Sequence, residues 1–285
     1  MKKVVIGLTA AIVLISTAEI GIRMLGLVDF PLYNADSRIG YIPKPNQSGS
    51  FMNTNDWVFN ELSMGTARKF QPSDRTDILL VGDSIVFGGN SYKQEERLGP
   101  QLEGATGDVV WPISAGSWGL QNELQYLQDH PDVVASVDRI ILILNSADFD
   151  QPSSWISEFT HPREYPVSAL CYLLERQIFK PKRTVQPETK VPARDAVAEF
   201  KKFAIVYSKP FDLWLYPTKA ESSDRSEWEK LFAASAKRLE ALDLDNVHIH
   251  NGVDILHFTD VDYRDNIHPT PAAIRKLAAA ISESL

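Results

Sequence analysis

The chain is 285 residues long, is 44% apolar and carries a formal net charge of −8. That length allows one large domain or two small ones, and the apolar fraction is ordinary for a chain that buries a core. The acidic balance excludes a broad basic field for nucleic acid, and a single cysteine, Cys171, excludes an internal disulfide and any cysteine-rich metal site.

The N-terminus begins Met1-Lys-Lys and continues with an apolar run from Val4 to Ala18. A positive start before about fifteen apolar residues reads as an export signal. Residues 1–28 are therefore expected to be a signal anchor or a signal peptide. Ser16-Thr-Ala18 fits a small-residue cleavage site. The apolar character resumes after Glu19 and runs to Val28, which fits a retained anchor, the preferred reading; a buried helix of a soluble protein is the third. Lys2 and Lys3 hold the N-terminus in the cytoplasm and place the rest of the chain outside it. The expected location is thus a bacterial-type inner membrane facing the envelope, or secreted if the segment is cleaved.

Residues 29–75 are rich in Pro, Asn, Ser and Gly, and Tyr41-Ile-Pro-Lys-Pro-Asn reads as extended chain. This stretch is expected to cross the following domain as a short β-containing arm. From residue 76 the pattern changes. Strand-like runs occur at 77–81, 108–113, 139–144, 211–216 and 246–250. Helical patterns occur at 120–128 and 223–242, the latter with Trp228, Leu231, Phe232, Leu239 and Leu242 at helical spacing. A last helical stretch starts at Pro271, and proline fits a first turn. Strands alternating with helices predict a three-layer α/β/α sandwich around a mainly parallel sheet over residues 76–285. The continuously apolar 140–144 suits a strand buried on both faces. Residues 149–210 exceed what one connection needs. They hold a helical piece at 168–179, a Pro-rich stretch at 181–192 and a helix at 194–207. Cys171, within the first of these, reads as a small buried hydrophobe. The insertion starts at the C-terminal end of a strand, where open α/β sheets bind ligands, so it is expected to form a substrate wall.

Two motifs carry chemistry. One is Asp77-Ile-Leu-Leu-Val-Gly-Asp-Ser84, an apolar strand ending in Gly-Asp-Ser. The other is Asp265-Asn-Ile-His268-Pro269. A serine hydroxyl is a weak nucleophile unless a base takes its proton as it attacks a carbonyl. Histidine suits that task, with an unperturbed pKa near 6.5. A carboxylate on its other ring nitrogen fixes the tautomer and stabilises the imidazolium. Ser84, His268 and Asp265 thus supply nucleophile, general base and orienting acid. No His-Glu-x-x-His motif or phosphate loop is present, and the absence of Gly-x-Ser-x-Gly disfavours an α/β-hydrolase elbow. His248, His250 and His257 could be imagined around zinc, but two histidines alternating on a strand edge is the preferred reading, and no metal or cofactor is expected.

Gly82-Asp83-Ser84 near the start of the domain and Asp265-x-x-His268-Pro at its end resemble the first and last blocks of the SGNH, or GDSL-type, hydrolases. The resemblance spans about residues 76–285. It implies a flavodoxin-like sandwich and a serine esterase acting on an acyl ester. Val109-Val-Trp-Pro-Ile-Ser-Ala-Gly116 is similar to the second block, and Asn145-Ser-Ala-Asp148 to the third, which usually reads Gly-x-Asn-Asp. The family's asparagine position is Ala147 here. The resemblance implies an oxyanion hole built from the amides of Ser84 and Gly116, with Asn145 as the candidate substitute for the missing donor. Anchored members often carry an acidic residue and an arginine just past the apolar run, as Glu19 and Arg23 do. Trp118 and Trp155 lie in loops leaving the same strand ends as Ser84 and could stack on sugar faces. The expected substrate is therefore an acetyl or other acyl ester, carried by a small molecule or an envelope or extracellular polysaccharide. An O-acyltransferase uses the same machinery. A weakly catalytic carbohydrate-binding or assembly protein is the reading that Ala147 supports.

Overall fold

The computed structural model describes residues 2–178 and 184–285. Met1, the last residue of the expected helix at 168–179 and residues 181–183 of the Pro-rich stretch lie outside them.

The chain opens with α1 (Lys2–Met24), none of whose residues is buried. Among the described residues it is the one helix long and apolar enough to cross a membrane. Two antiparallel hairpins follow, β1 (Tyr33–Asp36) with β2 (Gly40–Pro43), and β3 (Gln47–Phe51) with β4 (Asn55–Phe59). They pack onto the main domain: Tyr33, Ile39 and Tyr41 belong to its largest core cluster. Trp57 and Phe59 cluster with Phe87.

The main domain runs β5 (Asp77–Gly82), α2 (Ser84–Phe87), α3 (Leu98–Thr106), β6 (Val109–Ser114), α4 (Leu120–Asp129), α5 (Pro131–Ser136) and β7 (Arg139–Leu144). After the insertion, with α6 (Ala169–Ile178) and α7 (Ala196–Val206), come β8 (Phe211–Leu215), α8 (Lys219–Ser223), α9 (Arg225–Glu240), β9 (Val247–Asn251), α10 (Gly252–Leu256) and α11 (Pro271–Ser284). The five strands form one parallel sheet in the order β6-β5-β7-β8-β9. Strand periodicity sorts side chains between its faces. Leu79, Val81, Leu142 and Leu213 meet the layer containing α4, α5, α7 and α9. Ile78, Leu80, Ile141 and Ile143 meet α2, α3 and α11. Both faces are covered, so β5 and β7 at the centre of the sheet are almost wholly apolar, as parallel sheets require, while the edge strand β9 is only half-buried. The sheet thus forms the middle of three layers.

Some elements depart from expectation. The helix expected over 223–242 is α9, two residues shorter at each end, and a separate short helix, α8, precedes it. Asp224 takes an extended conformation and its carboxylate accepts from the Ser226 amide, capping α9. Thr218 caps the separate α8. α3 and α5 have no counterpart in the sequence reading; α3 contains Gly99, Pro100 and Gly104, which mask its helical character, and α5 is only six residues long. Cys171 is exposed, not buried; its place on α6 faces away from the core. His250 has a protein partner, Asp212, at 2.9 Å, and stacks on Trp214.

Candidate active site

In a parallel sheet every strand points its C-terminal end the same way, so the loops after β5, β6 and β7 gather at one edge. β5 lies between β6 and β7, where the chain reverses its direction of progress across the sheet. Ligand crevices form at such switch points. Ser84 sits there, as the first residue of α2. The turn that presents it is tight: a Cβ on Gly82 would come within 2.6 Å of Val86 Cγ2 and 3.2 Å of the Ile143 carbonyl. Asp83 caps α2, its Oδ1 accepting from the Ile85 amide at 2.8 Å. Gly88, with φ of 73°, ends the helix in the left-handed region.

The histidine arrives from the other end of the chain. Asp265 Oδ1 accepts from the amides of Ile267 and His268, both at 2.9 Å, folding the loop on itself. Tyr216 donates to the Ile267 carbonyl at 2.9 Å and Tyr92 donates to the Pro269 carbonyl. Thr270 then caps α11, with Pro271 in its first turn. The loop is thereby held on both sides of His268. Asp265 Oδ2 lies 2.7 Å from His268 Nδ1, and His268 Nε2 lies 2.9 Å from Ser84 Oγ. With Nδ1 donating to the carboxylate, Nε2 is left to accept from the serine hydroxyl. Partial burial pushes the Asp265 carboxyl up, but the amides of His268 and Ile267 and the His268 ring outweigh it and hold it below the usual range. It is therefore ionised wherever the imidazole needs it.

A cavity of about 210 Å³ opens over Ser84 and Gly116. Its walls include the aromatic rings of Phe30 after the first helix, Phe87 from α2, and Phe159 and Tyr172 from the insertion; Asn90 and Arg176 add polar groups. The Gly116 amide has no acceptor among the described residues. A Cβ there would meet only Ser84 Cβ, at 4.0 Å, so glycine at 116 leaves the space before the nucleophile open.

Three residues proposed from sequence take other places. Asn145 does not face the cavity. Its Nδ2 donates to Asp83 Oδ2 at 3.1 Å, its Oδ1 accepts from the Ala147 amide at 2.9 Å, and it is 3% exposed. As N-cap of the turn after β7, it braces Asp83 from behind, with both ends of the amide engaged. Trp118 is fully buried, its Nε1 donating to the Tyr41 carbonyl at 2.7 Å. Trp155 is buried, lies under the Arg163 guanidinium and donates to the His161 carbonyl. Neither indole presents a face to a sugar; the insertion and the arm cover both.

Other residues were not visible from sequence. Tyr41, on β2, donates to the Gly116 carbonyl at 2.6 Å, so the arm pins the loop carrying the Gly116 amide. The His161 ring stacks on Tyr41 at 3.7 Å and lines the cavity. Burial lowers its pKa to about 4, so it is neutral at ordinary pH. Both lie far in sequence from the motifs, and no local pattern marks them. Behind Ser84 sits a buried acidic group. Burial raises Asp83 to about 6. Glu123 is raised by burial and then by the Asp83 charge, and Asp148 by burial and by both neighbours. Both Glu123 oxygens lack a hydrogen-bonding partner among the described residues.

No family model matches the sequence, and no curated protein is significantly similar to it. Among solved structures the chain is similar to a member of the lipolytic G-D-S-L family from Veillonella parvula DSM 2008, at 13% identity, covering 73% of this chain and 97% of that one with a TM-score of 0.46. A GDSL-like lipase from Bacteroides thetaiotaomicron VPI-5482 is 14% identical, with 76% and 91% covered and a TM-score of 0.46. A carbohydrate esterase family 2 enzyme from Corynascus thermopiles (Myceliophthora fergusii) is 14% identical, with 77% and 68% covered and a TM-score of 0.44.

Proposed function

We propose that the chain is a serine esterase of the SGNH type, anchored through α1 with its catalytic domain outside the cytoplasm. The observation that carries this reading is the linear relay of Asp265, His268 and Ser84, at 2.7 and 2.9 Å, opening on one cavity. Ser84 Oγ attacks the ester carbonyl while His268 Nε2 takes its proton. Asp265 holds the ring and balances the imidazolium charge. The tetrahedral oxyanion is met by the Ser84 and Gly116 amides, so the charge that develops in the transition state falls on fixed donors. His268 then protonates the departing alcohol, and water, activated by the same base, releases the acid from Ser84. The cavity of about 210 Å³ admits an acyl group beside Ser84. The burial of Trp118 and Trp155 removes the residues expected to hold a sugar, so the polysaccharide reading has no side chain to rest on.

The test is the full chain in detergent with p-nitrophenyl acetate, with and without a candidate glycan acceptor. Hydrolysis that requires Ser84 supports the esterase. Acetyl transfer that requires the acceptor would replace it with an O-acyltransferase, and no turnover in either arm would overturn both.

A further inference from the structure

The two most exposed apolar surfaces of the molecule adjoin each other. α1 leaves its apolar side chains uncovered from Val4 to Ile20, and only Ile22, near its end, packs against Phe30 and Ala169. The fifteen residues Val4–Ala18 rise only about 22 Å at 1.5 Å per residue, short of the ~30 Å hydrocarbon layer. A full span must extend to Met24 and so takes in Glu19 and Arg23. Charges at that depth need partners. Arg23 Nε donates to Glu19 at 2.7 Å, and its guanidinium also reaches the carbonyls of Pro166 and Val167 at 3.0 Å each. Glu19 accepts from Ser168 Oγ at 3.1 Å and from the amides of Ala169 and Leu170, both at 2.9 Å. Those groups are the start of α6. The first turn of α6 is therefore tied to α1 at the level where the apolar layer ends.

α6 then presents a stripe that the described residues leave exposed. Cys171, Leu174 and Ile178 follow at spacings of three and four, which align on one helical face, and Val167 lies just before the helix. Val167 is 100% exposed, Leu174 50% and Ile178 67%; Cys171 is exposed as well. The other side of the same helix is committed. Ala169 is fully buried, Tyr172 packs on Phe30 and Phe159, and Tyr172 and Arg176 line the Ser84 cavity. Contiguous apolar surface of this kind on a water-facing helix marks an interaction site, and its continuity with α1 identifies the occupant as lipid.

We propose that α6 lies in the membrane–water interface with this stripe in the lipid, and that the Ser84 cavity takes an acyl ester carried by a membrane-borne amphiphile that enters past α6. The second half rests on the esterase reading of the cavity; the lipid contact does not. One helix then serves both functions, with lipid on one face and the cavity on the other.

The experiment uses the full chain in phosphatidylethanolamine–phosphatidylglycerol vesicles. Its sole cysteine, Cys171, carries an environment-sensitive fluorophore; the reference is the same fluorophore on Ser226→Cys in a Cys171→Ser background, at an exposed site on α9. Spin-labelled lipid should quench the Cys171 label, and aqueous iodide should quench it far less than the reference. Equal iodide quenching at the two sites overturns the lipid contact. In parallel, the double variant Leu174→Glu, Ile178→Glu should lower turnover of a vesicle-borne acyl ester by about tenfold or more, since interfacial binding scales with buried apolar area. Turnover of p-nitrophenyl acetate by the same variant should stay within about twofold, because neither residue touches the cavity. Losses equal on both esters, or absent on both, overturn membrane-borne access. If the unsubstituted chain turns over neither ester, the esterase reading fails, and the quenching comparison still decides the lipid contact by itself.

Discussion

At the level of single residues, the site is built from two local motifs and a set of tertiary contacts. Ser84, Asp265 and His268 were legible because each lies in a short pattern whose chemistry calls for the others. Ser84→Ala should lower ester turnover by about a thousandfold or more while Tm and circular dichroism stay unchanged; retention of more than about a tenth of the rate would mean another nucleophile. Tyr41 was not legible, because its bond to the Gly116 carbonyl exists only once the arm is folded onto the sheet. Tyr41→Phe keeps the ring and its stack on His161 and removes only the hydroxyl. It should lower kcat by about tenfold with little change in KM, as expected when a transition-state donor loses its positioning. An unchanged kcat would show that the Gly116 loop holds its shape without Tyr41. Asn145 shows the opposite error. Its place two residues before Ala147 suggested an oxyanion donor, but an asparagine at a strand end is drawn to cap the next turn, and there it faces Asp83.

Among the elements, the strands were the most legible. The five expected runs match β5 to β9 within a residue or so at each end, because strands buried on both faces are short, continuously apolar and bounded by polar turns. Helices of only five or six residues, such as α5 and α8, or built with glycine and proline, such as α3, were not. Two predictions belong at this scale. Gly82→Ala, at the end of β5, forces a Cβ against Val86 and the Ile143 carbonyl. It should destabilise the domain by about 1–3 kcal/mol, the usual cost of overpacking, read as a lowered Tm. Glu123 on α4 concerns pH. Its folded-state pKa lies well above the ordinary value of 4.5, so the native state holds that proton more tightly than the unfolded chain. The group's contribution to stability is fully present below 4.5 and is lost as pH rises toward the folded value. Glu123→Gln removes that loss. The Tm of the variant minus that of the unsubstituted chain should rise as pH goes from 4 to 8; a flat difference would mean that Glu123 does not carry the buried proton.

Across the whole molecule, the N-terminal quarter read from sequence as a leader and a short β-containing arm crossing the domain that follows. The structure makes the arm part of the core: Tyr41, Trp57 and Met64 are each no more than 2% exposed, and the Tyr33 amide donates to the Pro162 carbonyl in the insertion at 2.8 Å. Arm and insertion close over the site from opposite directions along the chain; their general place was legible from the chain order, but the contacts between them were not, since neither carries a periodic pattern. Deleting residues 2–24 should leave a folded catalytic domain with p-nitrophenyl acetate activity. It should also make α6 more susceptible to limited proteolysis, because the Glu19 cap is gone. Deleting residues 2–60 should yield aggregated, inactive protein, since apolar surface on the main domain loses its cover. Size-exclusion chromatography and protease mapping of the two truncations distinguish these outcomes; an intact, active product from the longer deletion would show that the arm is dispensable.

The separation of Ser84 from His268 by 184 residues also has a consequence in time. At translation rates of about 5–20 residues per second, the nucleophile precedes its base by roughly ten to forty seconds. The base is not held in place until α11, which follows it, packs against α3. On the proposed mechanism, a nascent chain is therefore chemically silent until His268 has been made and packed beside Ser84. Premature termination anywhere before residue 268 leaves an inert product instead of an unregulated hydrolase.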